Sequence, residues 1–197
     1  MPVLYFARHG ETDFNAVHRL QGQYQTSLNA LGRQQAAVAG HVILDLFARD
    51  RLQASEFHYV SSPLNRARET MEIVRGVLGL DTHEYETDDR LMEISYGAWE
   101  GLTLPEVEAH EPGVLARRER DKWDFMPPCG ESYRQVAKRV AEWYATLTRE
   151  TVVIAHGGIG RSLMANFHIL PEEEATHAEV AQGVVYVFSA GTMTRYS

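Results

Sequence analysis

Tyr5-Phe6-Ala7-Arg8-His9-Gly10-Glu11-Thr12 is the stretch on which the reading of this chain turns. Val3 to Ala7 is a short apolar run rich in strand-forming residues, and it breaks at once into Arg8-His9-Gly10. A buried strand that carries an Arg and a His to its carboxyl end suits an anionic ligand, because open α/β sheets bind ligands outside the carboxyl ends of their strands. Taken alone, the stretch is equally a first strand followed by a polar turn.

Two further strand ends repeat the pattern. Thr151 to Ala155 is a β-branched apolar run of the buried-strand type, and His156-Gly157-Gly158 follows directly. Phe57 to Val60 reads as another short strand, which Ser61-Ser62-Pro63 turns into a helix with Arg66 in its first turn. Pro63 is placed in that first turn, where its missing N–H would have no partner anyway. The helix runs to about Val77 and stops at Gly79. In a mainly parallel sheet the three ends share an edge, so His9, His156, Arg8 and Arg66 would converge there. A helix N-terminus already favours anions, and Arg offers planar, bidentate contacts to phosphate oxygens. The constellation reads as a phosphate pocket.

Between these points the chain alternates strands with helices. Asp13 to Asn29 is polar, contains Gly22 and reads as a long loop of the kind that is often functional. Asn29 is placed to cap a helix from about Ala30 to Ala48, with Ala36, Val38, Val42, Ile43, Leu46 and Phe47 as its apolar stripe. His83 to Thr87 is a candidate third strand, Asp88 to Gly101 is irregular, and Leu102 to Pro128 suggests short helices with basic residues at Arg117, Arg118, Arg120 and Lys122. Ser132 and Gln135 have capping-box spacing ahead of a helix that places Val136, Val140, Trp143 and Leu147 on one face. A helix from about Ile159 to Ile169 and a terminal hairpin of Val184–Phe188 with Met193–Tyr196 complete the chain. The expected architecture is a single α/β domain over residues 1–197, a three-layer α/β/α sandwich with a mostly parallel central sheet.

Composition narrows the function. The chain has 197 residues, 44% of them hydrophobic and 23% charged, as expected for an ordinary globular protein. A net charge of −8 disfavours nucleic acid or an anionic membrane as a partner, so any anionic substrate must be held by a local cluster of cations. With Cys129 as the sole cysteine, neither an intrachain disulfide nor a Cys-rich metal site is available. No apolar run approaches the ~20 residues of a membrane span, and the N-terminus lacks a signal-peptide pattern. A cytoplasmic location is the expectation, and a homodimer is compatible with it.

The same residues resemble a known family. Arg8-His9-Gly10-Glu11-Thr12 with Asn15 is similar to the signature of the histidine phosphatase superfamily, which includes the cofactor-dependent phosphoglycerate mutases. Ser61-Ser62-Pro63-Leu64-Asn65-Arg66, then Leu91-Met92-Glu93-Ile94-Ser95-Tyr96-Gly97, then Cys129-Gly130-Glu131-Ser132 and Ala155-His156-Gly157-Gly158 resemble further family blocks, in family order. The family commonly has Asp, Pro and Thr where this chain has Gln25, Ser27 and Asn29.

The resemblance implies that His9 is a nucleophile forming a phosphohistidine that water then hydrolyses, a two-step route that splits one difficult displacement into two easier ones. Arg8, Arg66 and His156 would hold the phosphoryl oxygens with neither metal nor organic cofactor. Asn15, Gln21, Gly22 and Gly157 would contact phosphate or substrate. Glu93 would give the proton to the leaving oxygen, a role that burial and the phosphate's charge would assist. The activity implied is a phosphomonoesterase acting on a small phosphorylated metabolite. A mutase-type phosphotransferase and a non-catalytic phospholigand-binding domain are the alternatives. The short region after the third block and the Gly157-Gly158 pair favour the phosphatase branch.

Overall fold

The computed structural model describes residues 2–197. Strand β1 (Leu4–Arg8) lies between β4 (Thr151–Ala155), parallel to it, and β5 (Val185–Ser189), antiparallel. Beyond β4 lie β2 (His58–Ser61) and the two-residue β3 (Glu86–Thr87), both parallel, and β6 (Thr192–Tyr196) closes the other edge as a hairpin with β5. The order is β3-β2-β4-β1-β5-β6, with β5 alone running against the rest.

Strand alternation explains the layering, since successive side chains point to opposite faces. Leu4 and Phe6 pack on one face with Val153 and Ala155, beneath helices α6 (Tyr133–Tyr144), α7 (Gly157–Asn166) and α8 (Glu172–His177). Tyr5 and Ala7 pack on the other with Val152 and Ile154, beneath α2 (Ala30–Asp50) and α3 (Asn65–Val77). The result is the expected α/β/α sandwich. A third cluster, Trp99 with Val107 and Val114, anchors two short helices, α4 (Leu104–His110) and α5 (Val114–Arg120), beside the carboxyl edge of the sheet.

Several local expectations are corrected. The 13–29 connection is not all loop: Thr12 caps a one-turn helix α1 (Asp13–Ala16) through a reciprocal box with Asn15. Pro63 does not sit in the first turn of α3, which begins at Asn65 with Leu64 as its N-cap. The third strand keeps only Glu86–Thr87 of the expected five residues, because His83 to Tyr85 lie outside the ladder to β2. Helix α7 starts at Gly157, two residues early, and ends at Asn166, while Glu172–His177 forms a separate helix that the sequence did not signal. Val38 faces solvent at 48% exposure, the stripe on α2 being carried instead by Ala36, Ala39, Ile43, Leu46 and Phe47. Arg75, a charged residue near the end of α3, is buried: its guanidinium lies 4.5 Å from the Tyr59 ring centroid and its Nε donates to the Asp81 carbonyl at 2.6 Å.

The turn after β1 is fixed by close backbone contact. A Cβ on Gly32 would lie 2.0 Å from the Glu11 carbonyl oxygen, and one on Gly10 would lie 2.0 Å from the Gly32 carbonyl oxygen. Only two glycines allow the first turn of α2 to rest against the strand end. Gly32→Ala should therefore lower the thermal midpoint and reduce ligand affinity together. It should cost about 1–3 kcal/mol in denaturant titration, the usual scale of forced overpacking.

Candidate active site

Strand register brings the three ends together. Arg8 is level with Ala155 and Ser61 with Ile154, and two further ladder bonds, His9 N–H to Ala155 O and Ser62 N–H to Ile154 O, carry the pairing one residue past the strands. His9, Ser62 and His156 thus sit side by side, with the His9 and His156 ring centroids 5.0 Å apart.

The environment of His9 selects its tautomer. Nδ1 lies 2.7 Å from the Gly10 carbonyl oxygen, which can only accept, so Nδ1 carries the proton. Arg66 Nε–H donates to Nε2 at 3.2 Å, which requires a lone pair there. The ring is 1% exposed, and burial first, then the charges of Arg66 and Arg8, hold it well below the usual histidine range. His9 is a neutral imidazole with its free lone pair at Nε2. His156 is equally buried and likewise held low, by burial, Arg66, His9 and Arg8 in turn. Its Nε2 shares a 2.7 Å hydrogen bond with Ser62 Oγ, while Nδ1 is buried without a protein partner.

The two arginines are bonded to backbone. Arg66, fully buried, donates from Nη1 to Tyr24 O at 2.8 Å and from Nη2 to Gly22 O at 2.7 Å. Burial brings its pKa down to about 10, so it stays charged near neutrality. Arg8 donates from Nη1 to Val180 O, and its Nε is buried with no protein acceptor.

Glu93 approaches from the irregular segment. Its carboxylate accepts the Gly158 N–H, 3.0 Å to Oε1 and 3.3 Å to Oε2, and the Ile94 N–H. It therefore sits on the N-terminus of α7, where anions are favoured. Gly158 makes this possible, because a Cβ there would lie 2.3 Å from Oε1.

A cavity of about 160 Å³ opens at this edge. It is lined by eight of the nine residues expected from sequence: Arg8, His9, Asn15, Gln21, Gly22, Arg66, Glu93 and Gly157. His156 stands behind His9. Gln21 braces the loop by accepting from Thr12 Oγ1 and Thr26 Oγ1, and Asn15 caps α1. The departures at Gln25 and Asn29 are helix-cap chemistry: Gln25 Oε1 accepts from Asn65 N–H and Asn29 Oδ1 from Gly32 N–H. Nothing in the structure explains Ser27.

Sequence reasoning missed Arg161, Arg19 and Tyr96, which line the cavity, and Ser62, whose Oγ bonds His156. Arg161 had a readable signal, as the one charged residue in a helix otherwise made of glycine, apolar and small polar residues.

A buried neutral imidazole whose Nε2 lone pair meets an arginine N–H, at the edge of a cavity lined by further guanidinium groups, suits an α/β enzyme of phosphoryl transfer. Comparison with known proteins agrees. The model of the histidine phosphatase superfamily (branch 1) matches residues 4–194, and the chain belongs to that family. A glucosyl-3-phosphoglycerate phosphatase of Mycobacterium tuberculosis is 38% identical over 182 residues, covering 85% of this chain and 76% of that protein. A solved mycobacterial glucosyl-3-phosphoglycerate phosphatase complexed with VO3 has a TM-score of 0.78 at 32% identity, covering 96% of this chain and 91% of that one. A 2,3-bisphosphoglycerate-dependent phosphoglycerate mutase of Chelativorans sp. is 31% identical over 193 residues, covering 94% and 91%.

The buried histidines carry a pH signature. Unfolded, each imidazole returns to its ordinary pKa of about 6.5. Folded, each resists the proton, so below that pH the unfolded chain binds more protons and stability falls as pH falls. The slope is up to about 1.4 kcal/mol per pH unit for each histidine. His156→Asn should remove about one proton from the uptake on unfolding near pH 5.5, measured by denaturant titration across pH. An unchanged slope would mean that His156 is protonated in the folded protein.

Proposed function

We propose that this histidine phosphatase hydrolyses small phosphomonoesters through a phosphohistidine on His9. The observation that carries the reading is the neutral His9 ring, Nδ1–H held by the Gly10 carbonyl and Nε2 free apart from one Arg66 N–H. That nitrogen is the nucleophile. As it attacks phosphorus, Arg66 Nε–H passes from Nε2 to a phosphoryl oxygen. Arg8 Nε and His156 Nδ1, both buried and without protein partners, receive the other oxygens. The charges of Arg8 and Arg66 stabilise the transition state, where preorganised electrostatics is the largest contribution. Glu93 relays the proton of a monoanionic phosphate ester to the departing oxygen. It then takes one from the water that attacks the phosphohistidine, returning His9 to its starting form and releasing phosphate. The site belongs to one structural unit spanning the described residues 2–197.

Relatives support a small-metabolite substrate: phosphatases named for glucosyl-3-phosphoglycerate, one of them solved with VO3, stand at 32–38% identity. The mutase reading, favoured by a mutase at 31% identity, shares every step up to the phosphohistidine and differs only in the acceptor.

Inorganic phosphate should be released from 4-nitrophenyl phosphate in the presence of EDTA, and His9→Ala should abolish it. Activity persisting in His9→Ala overturns the mechanism. Glu93→Gln should cost on the order of 10²–10⁴-fold on an alkyl phosphate, the usual contribution of general acid catalysis. The cost should be far smaller on 4-nitrophenyl phosphate, whose leaving group needs no proton. Equal losses on both would remove Glu93 from the acid role. Isomerisation of phosphoglycerate without phosphate release would favour the mutase.

A further inference from the structure

His9 and His156 are both buried, neutral rings, yet the proposed chemistry asks opposite things of them, a lone pair from one and an N–H from the other. For His9 the Gly10 carbonyl decides which nitrogen holds the proton. Among the described residues, no backbone carbonyl does this for His156. Its Nδ1 is buried without a protein partner, and its Nε2 meets Ser62 Oγ at 2.7 Å.

The direction of that bond follows from Ser62. Its side chain is fully buried, and the ladder bond from Ser62 N–H to Ile154 O fixes the residue against the end of β4. Leu64 N–H donates to Oγ at 3.4 Å, so the oxygen already accepts a backbone bond and its own proton points elsewhere. Among the described residues, His156 Nε2 is the one acceptor in reach of that proton. The neighbouring Ser61 differs, because its hydroxyl donates to the Ser62 carbonyl at 2.9 Å. Were His156 to donate from Nε2 instead, the Ser62 proton would be buried with no acceptor, which is costly. A bare lone pair at Nδ1 would then face the phosphoryl oxygens. A second proton on the ring is no alternative, since burial first and then the Arg66 charge oppose it.

We propose that Ser62 is a positioning residue: by donating from Oγ to Nε2 it holds His156 as the Nδ1–H tautomer, whose use as a donor to a phosphoryl oxygen rests on the phosphatase reading. The two histidines then carry the proton on the same nitrogen for opposite reasons. In His9 an acceptor holds Nδ1–H and leaves Nε2 as the nucleophile. In His156 a donor occupies Nε2 and leaves Nδ1–H for the substrate. A neutral donor also adds no further positive charge beside Arg8 and Arg66, which would otherwise repel it.

Two-bond proton–nitrogen correlation spectra of the ligand-free protein, labelled at its histidine nitrogens, read the tautomer directly. His156→Asn identifies the His156 signals. Near neutral pH the wild type should show His156 with Nδ1 protonated and Nε2 bare. Ser62→Ala should lower the Nδ1–H share of His156 and leave His9 unchanged, and Ser62→Thr, which keeps the hydroxyl, should restore it. A protonated Nε2 in the wild type, or an unchanged share in Ser62→Ala, overturns the proposal. With 4-nitrophenyl phosphate, Ser62→Ala should lower kcat/KM by about tenfold or more, the scale of one hydrogen bond to a charged group. Combined with His156→Asn, the same change should cost little more than His156→Asn alone, because Ser62 acts only through the ring. Losses that multiply show a structural role and overturn the assignment. Calorimetric titration with inorganic phosphate separates the two readings. If the wild type turns over no ester, but Ser62→Ala shifts the tautomer and binds phosphate about tenfold more weakly, the phosphatase reading fails and the Ser62 assignment stands. Equal phosphate affinity in the two proteins overturns the assignment.

Discussion

The contact between Arg66 and His9 is the constraint on which the rest of the site depends. A fully buried guanidinium must have its donors satisfied, and a carboxylate would do so at the expense of its charge. Here the partners are the His9 ring and the carbonyls of Gly22 and Tyr24. Carbonyl oxygens meet the N–H groups and leave the positive charge free. The same device recurs at Arg8, bonded to Val180 O, and at Arg161, bonded to Ala178 O. Arginines farther out, such as Arg134 with Asp124, take carboxylates instead. The arrangement also ties β1, α3 and the 22–26 loop to one side chain, so the fold and the charge of the site are secured by the same bonds.

Glutamates do the complementary work of shaping the loops. Glu100 Oε1 accepts from Gln23 N–H, Ser95 Oγ and Tyr96 N–H, joining the first loop to the third block. Glu131 accepts from Ser95 N–H and pairs with Arg139, whose guanidinium also donates to the carbonyls of Arg90 and Glu93. Glu93 is thus held from behind by its own backbone oxygen. The Gly-Glu-Ser element ahead of α6 is a brace for the segment carrying Glu93, which accounts for its place in the sequence far from the cavity.

What could be read from sequence follows from how local each cause is. The ends of β1, β2 and β4 were legible because a buried strand and the polar residues after it are both short-range patterns, and parallel pairing then places them on one edge. Asn29 and Ser132 were legible because a cap needs only its own helix. Arg75 was not, since its burial depends on a tyrosine from β2 and a carbonyl beyond the end of its own helix. Val38 was misplaced because a helix stripe spans more than one contacting face. Nor was the cap of α4 and α5 legible: Val107, Val114 and Trp99 are far apart in a stretch with no sustained period. Arg161 was passed over because its position depends on Ala178 and Tyr133, both distant in sequence.

The start of α7 is where these threads meet. Its N–H groups favour negative charge, and in the structure Glu93 occupies the one at Gly158. In the mechanism proposed above, a phosphoryl group held by Arg8, His9 and His156 would lie next to the same helix end, because His156 is its N-cap and Gly157 lines the cavity. Proposed acid and substrate would then share one electropositive terminus, which would bring the Glu93 carboxyl group beside the ester oxygen. Side chains at either glycine would crowd this arrangement: at Gly158 by displacing Glu93, at Gly157 by filling the gap between Arg8 and Arg161. The Gly-Gly pair after His156 is thus an electrostatic requirement as much as a conformational one.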